Sequence, residues 1–225
     1  MKYDVEFDLD LKRNPYRGLY IAIEGIDGCG KTTQVNNLKK LFETQERSVV
    51  ITSEPRKEES AIGKLIHSAL EGRVKLPFSS FQDLYSAERV INHETVVIPA
   101  LKEGKAILSH RCFWSAVAYG VFDKGETKYT VSNSNVIIVA NGILSKYYQF
   151  IVPDYTFYLA VRAKTAMKRI LKMGKRREIY EEKEKLLRII AGYDYLLKNF
   201  AKEITMINGE EEEERVTEKI VACIK

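Results

Sequence analysis

Apolar residues recur along this chain in two periods, one belonging to strands and one to helices. Val5, Phe7, Leu9 and Leu11 alternate with charged residues, the period of a half-buried strand. A turn at Asn14-Pro15-Tyr16-Arg17-Gly18 closes this N-terminal arm, residues 1–17. Residues 19–23 form an apolar run of strand length, and Val35, Leu38, Leu41 and Phe42 then fall at helical spacing. A β-branched strand is expected at 48–52, and Ile62, Leu65, Ile66 and Leu70 mark a short helix. Residues 71–80, with Gly72 and Pro77, read as a loop. Residues 81–101 read as a long helix kinked near Pro99, with Leu84, Tyr85, Val90, Ile91 and Val97 mostly inward.

The second half repeats the alternation. It predicts a strand at 105–109, a helix at 113–122 and a polar surface loop at 124–135. Val136, Ile137, Ile138 and Val139 have strand character, but Ile143, Leu144 and Tyr147 extend them at helical spacing, so 136–150 is read as a helix. Then come a strand at 156–161, a helix at 163–173 stopped at Gly174, a charged helix at 181–200 and a last strand at 204–207. A closing helix follows Asn208-Gly209, and the acids of 210–214 favour the positive end of its dipole. Strands alternating with helices, without hairpin signals, predict an α/β fold in three layers: a parallel sheet of about five strands with helices on both faces. Residues 18–225 are expected to form a single domain.

Composition narrows the setting. With 45% hydrophobic and 30% charged residues, the chain reads as globular. It has no stretch of membrane-spanning length and no signal-peptide pattern at its start, which predicts a cytoplasmic protein away from membranes. Cys29, Cys112 and Cys223 lack metal spacing and are expected to be free thiols. The net charge is +5, yet basic and acidic residues interleave, which argues against a nucleic-acid surface and for local basic sites that hold phosphates.

The stretch with the clearest chemistry is Gly25-Ile26-Asp27-Gly28-Cys29-Gly30-Lys31-Thr32, which fits the G-x-x-x-x-G-K-[ST] phosphate-binding loop. It lies between the strand at 19–23 and the helix that follows, as its chemistry requires. The glycines let the backbone curl its N–H groups around phosphate oxygens, and the helix beginning there turns the positive end of its dipole to the anion. Lys31 adds a positive charge for the β- and γ-phosphates, the Thr32 hydroxyl is the expected Mg²⁺ ligand, and Thr33 follows. The sequence therefore predicts binding of a nucleoside triphosphate.

Further segments resemble the thymidylate kinase family. Residues Glu24 to Gln34 resemble its phosphate-binding loop, Thr52-Ser53-Glu54-Pro55 its Thr-Arg-Glu-Pro segment, and Leu84-Tyr85-Ser86-Ala87-Glu88-Arg89 its Leu-Phe-Ala-Ala-Asp-Arg segment. Arg111 with Ser115, Ala118 and Tyr119, then Pro153 to Leu159 and Gly192-Tyr193, follow at the family's spacing. The arm at 1–17 lies outside the likeness. The resemblance implies transfer of the ATP γ-phosphate to dTMP, with Mg²⁺, by a homodimer. It implies that Asp27 accepts from the sugar 3′-hydroxyl, Tyr85 stacks on the pyrimidine, Arg89 donates to a base carbonyl and Ser115 bonds the base edge. Tyr119 would fill the space of a 2′-hydroxyl, Arg111 with Arg56 would grip the monophosphate, and Glu54 would hold a metal-bound water. Lys175, Arg176 and Arg177 would form a lid at about 173–181 that neutralises transition-state charge. The chain departs from the family at His110 and Ala160, where aspartates are usual, and at Ser53 and Gly120, where an arginine and a glutamine are usual. The first two leave open a nucleotide-binding relative with weakened catalysis, the second two a kinase of the same fold with another acceptor.

Overall fold

A computed structural model describes residues 10–120, 140–172, 174 and 183–224. Five strands, β1 (Leu19–Glu24), β2 (Val49–Ser53), β3 (Ala106–His110), β4 (Tyr155–Ala160) and β5 (Thr205–Asn208), form one parallel sheet in the order β2-β3-β1-β4-β5. Around them stand α1 (Lys31–Thr44), α2 (Ala61–Leu70), α3 (Phe78–Asn92), α4 (Ile98–Lys102) and α5 (Trp114–Gly120). The chain then adds α6 (Ala163–Lys172), α7 (Lys183–Asn199) and α8 (Glu213–Cys223). No helix among the described residues is long and apolar enough to cross a membrane.

Both faces of the sheet are covered, which accounts for the unbroken apolar run of β1. Tyr20 pairs with Ile107, and Ile21 with Leu108, so successive residues face opposite sides. Tyr20 and Ile107 pack with Val97, Ala100 and Leu101 in a small cluster, while Ile21 and Leu108 join Leu38, Trp114 and Leu196 in the main core. The predicted α/β architecture is the one observed.

Several local expectations need correction. The arm's residues 10–17 form no strand; Lys12 makes one isolated parallel bridge to Ile151, and residues 1–9 lie outside the described residues. The turn before β1 is held by Asn14, whose amide donates to the Gly18 carbonyl and to Asp154, which also accepts from the Tyr20 N–H at 2.7 Å. The loop at 71–80 ends early, because α3 begins at Phe78. The kink near Pro99 takes the form of a π turn at His93–Val97, where the Ile98 N–H donates to the His93 carbonyl five residues back. A proline has no N–H for the carbonyl four residues before it, and the wider turn lies over that stretch. Val90 and Ile91 are exposed, while Glu88, Arg89, Asn92 and His93 are buried. The helix expected at 136–150 is helical at 140–144 and then tightens into turns that carry Tyr147 into the core. Residues 136–139 and the loop at 124–135 lie outside the described residues.

One contact sets how closely α7 approaches the site. A Cβ on Gly192 would stand 2.2 Å from the Ala118 carbonyl oxygen of α5, so only glycine permits this spacing. The close approach brings the neighbouring Tyr193 hydroxyl to the end of β1, where it donates to Glu24 at 2.7 Å. Gly192→Ala is therefore expected to cost about 1–3 kcal/mol of stability by overpacking. Chemical denaturation measures it, and an unchanged midpoint would mean that the two helices separate freely.

Candidate functional site

The phosphate-binding loop spans the gap between β1 and α1. Gly25, Gly28 and Gly30 have φ of 139°, 77° and 104°, in the region that L side chains rarely adopt. At Gly25 a Cβ would lie 2.7 Å from the Cys29 Sγ, so the loop closes tightly on itself. The Lys31 ammonium is buried and donates to the Gly25 and Ile26 carbonyls at 3.0 and 2.8 Å. Burial, with Arg111 nearby, lowers its pKa. Thr32 is exposed at the start of α1, beside Thr33.

Arg111 stands just past β3 and joins the loop to the rest of the site. Its guanidinium donates to the Gly25 carbonyl at 2.8 Å, to Asp27 at 2.7 Å and to the Tyr119 hydroxyl at 2.6 Å. Burial alone would raise the Asp27 carboxyl, but Arg111 and Lys31 outweigh it and hold it well below the usual carboxylate range. Beneath Arg111 lies Glu24, fully buried at the end of β1. It accepts from the Cys112 N–H, the Ser115 hydroxyl and the Tyr193 hydroxyl at 2.8, 2.6 and 2.7 Å. The Ser115 proton thus goes to Glu24, so at the base edge that the resemblance gives it Ser115 has only its oxygen to offer, as an acceptor. His110 lies alongside; burial, then Lys31 and Arg111, push its pKa well down, so the ring is neutral at pH 7.

These residues open on one cavity of about 570 Å³. Asp27, Thr32, Glu54, Arg56, Tyr85 and Arg89 line it, as do His110, Arg111, Ser115 and Tyr119. The structure therefore gathers every residue named for the acceptor around one space, next to the phosphate-binding loop. Two more arginines reach it in paired form, Arg89 buried and Arg56 partly buried. Arg89 donates to Glu54 at 2.7 Å and to the Tyr147 hydroxyl at 3.0 Å, and it lies over the rings of both Tyr85 and Tyr147. Burial raises the Glu54 carboxyl to about 7 against the pull of Arg89. Arg56 donates to Glu88 at 3.0 Å, and Glu88 also accepts from Ser60, the cap of α2. Lys175, Arg176 and Arg177 lie outside the described residues. Ala160 ends β4, and its carbonyl accepts from the Gly209 N–H.

Sequence reasoning assigned no role to Glu24, Glu88, Tyr147 or Tyr193. Glu24 and Tyr193 sit inside segments that matched the family, which was the available signal. Tyr147 carried none, because a tyrosine at helical spacing reads as core.

Two outcomes follow from the buried charges. Glu24→Ala leaves three donors without an acceptor and is expected to cost roughly 3 kcal/mol or more in urea unfolding. A loss under about 1 kcal/mol would show that those donors find other partners. The depressed pKa of Asp27 means that its stabilisation is present above the unfolded value of 3.8 and is lost as the pH falls through the lower folded value. Asp27→Asn should therefore flatten the fall of stability with acid below about pH 4. An unchanged acid profile would remove the Asp27–Arg111 pair as its cause.

Comparison with known proteins places this geometry. Residues 23–220 match the family model described as thymidylate kinase. A probable thymidylate kinase of Pyrococcus horikoshii is 30% identical over 215 residues, covering 93% of this chain and 97% of that protein. The thymidylate kinase of Thermoanaerobacter sp. (strain X514) is 29% identical over 214 residues, covering 93% of this chain and 98% of the relative. The phosphate-binding loop, the acceptor-side residues, the end of β1 and the other four strands fall within the matched span, and the chain belongs to the thymidylate kinase family.

Proposed function

We propose that this protein transfers the γ-phosphate of ATP to the 5′-phosphate of dTMP. The observation that carries this reading is the single cavity at which the phosphate-binding loop, Asp27, Arg111, Tyr85 and Arg89 meet. Its volume falls within the roughly 300–1,000 Å³ of small-molecule sites. The family match supports the choice of acceptor.

Phosphoryl transfer leaves the protein chiefly the work of positioning and charge stabilisation. In this reading the Lys31 ammonium exchanges loop carbonyls for phosphate oxygens. Gly25, Gly28, Cys29, Gly30 and Thr33 supply the backbone around the ATP phosphates. Arg111 grips the acceptor phosphate while Asp27, kept ionised by Arg111 and Lys31, accepts from the sugar 3′-hydroxyl. Tyr85 stacks on the ring and Tyr119 occupies the 2′ side. Arg56 assists at the monophosphate, held by Glu88.

Mg²⁺ fits the donor set in one respect, since the exposed Thr32 hydroxyl is a hard oxygen donor facing the cavity. Thr32 would hold it directly and Glu54 through water, with the nucleotide phosphates as its main ligands. When bound, the ion offsets phosphate charge. The assignment of Arg176 and Arg177 to the transition state rests on the resemblance alone. So does the homodimer, for which the exposed Val90 and Ile91 of α3 offer an apolar surface.

An ADP-release assay with dTMP, dUMP, UMP and AMP tests the reading. We expect dTMP to have the highest kcat/KM, the ribonucleotides to fall well behind, and Lys31→Ala to lose at least 100-fold in kcat, about 2.7 kcal/mol. A preference for AMP would overturn the assignment of the acceptor.

A further inference from the structure

Two polar side chains of the cavity that were named for the base are already engaged. Ser115 gives its proton to Glu24, and Arg89 is divided between Glu54 and Tyr147. Gln82 also lines this cavity, and among the described residues its amide has no hydrogen-bond partner. It lies on α3 with Tyr85 and Arg89 at spacings of three and seven residues, which puts all three on one face of the helix. Glutamines at such positions usually extend into solvent. This one is only partly exposed and lies against backbone. A Cβ built on Gly120 would be 2.6 Å from its Nε2 and 3.2 Å from its Cδ, so the amide occupies the space that a side chain at 120 would take. Gly120 is thus the gap that admits Gln82, and the gap fixes where the amide stands.

The chemistry of a thymine edge explains what such an amide is for. That edge carries carbonyl acceptors and one ring N–H donor, so a receptor needs donors and an acceptor. Arg89 has donors only. Tyr85 presents a ring face. The Gln82 amide supplies an acceptor for the ring N–H and two N–H donors. We propose that Gln82 is a specificity-determining residue of the acceptor site, pairing its amide with the imide edge of the pyrimidine beside Arg89 and Tyr85. The inference rests on the proposed dTMP kinase reading and deepens it.

The test compares dTMP with its N3-methyl analogue, which lacks the ring N–H, on wild type, Gln82→Met and Gln82→Ala. Gln82→Met keeps the side-chain bulk against Gly120 and removes both hydrogen-bonding groups. We expect it to raise the dTMP KM about 10- to 100-fold, the range for a buried polar contact worth roughly 1–3 kcal/mol, with kcat and the ATP KM changed less than about twofold. Wild type should disfavour the N3-methyl analogue by at least tenfold, and in Gln82→Ala that preference should shrink to within about threefold. Thermal unfolding of each variant checks that the fold is retained. A wild-type dTMP KM in Gln82→Met, or an N3-methyl penalty undiminished in Gln82→Ala, overturns the role of Gln82 and leaves the kinase reading intact. Wild-type protein that phosphorylates another monophosphate but not dTMP overturns both.

Discussion

The site depends on a guanidinium that must be paired because it is buried. Arg111 has a φ of 79°, an unusual conformation for a residue with a side chain, and one that typically costs about 1–3 kcal/mol. Its own N–H still donates to the Ile23 carbonyl, so the turn is fastened to the central strand before the side chain leaves it. The guanidinium then meets the Gly25 carbonyl, Asp27 and Tyr119, and below them Glu24 collects three donors, two from the start of α5 and the turn before it and one from α7. Loop, β3, α5 and α7 are thereby tied at one point. Removing any member strands a buried charge or a buried donor, so the fold and the site are not separable here.

What could be read from residues alone was whatever repeats or lies close together in the chain. The three inner strands appeared as apolar runs because parallel strands covered on both faces are apolar throughout. The phosphate-binding loop is contiguous, so its glycines, Lys31 and Thr32 were recognisable together. The segment around Tyr85 and Arg89 was recognisable by likeness and lines the cavity as expected. The partners of these residues were not readable. Glu24, Glu88, Tyr147 and Tyr193 act across separations of 28 to 169 residues, and only the fold brings them in.

The errors in α3 have the same origin. An apolar stripe is expected to face a core, but α3 turns toward the cavity and buries Glu88, Arg89 and Asn92 in place of Val90 and Ile91. A helix that lines a ligand site reverses the usual rule on that side, because its buried charges are paired with other charges. The π turn that follows resets the face, and from Val97 onward the chain packs apolar residues under β1 and β3.

The pairing of the cavity's arginines has a kinetic side. Arg111, Arg89 and Arg56 each have a carboxylate partner within 3.0 Å. Their fields largely cancel beyond a few ångströms, so these three residues project little positive potential into solvent. A ligand anion is not drawn in from a distance by them, as it would be toward an unmatched basic cleft. It is recognised only on arrival, when its phosphate offers closer geometry than the resident carboxylates do. Association through such a mouth should depend weakly on ionic strength. Long polyanions, which bind by summed long-range charge, gain little from it.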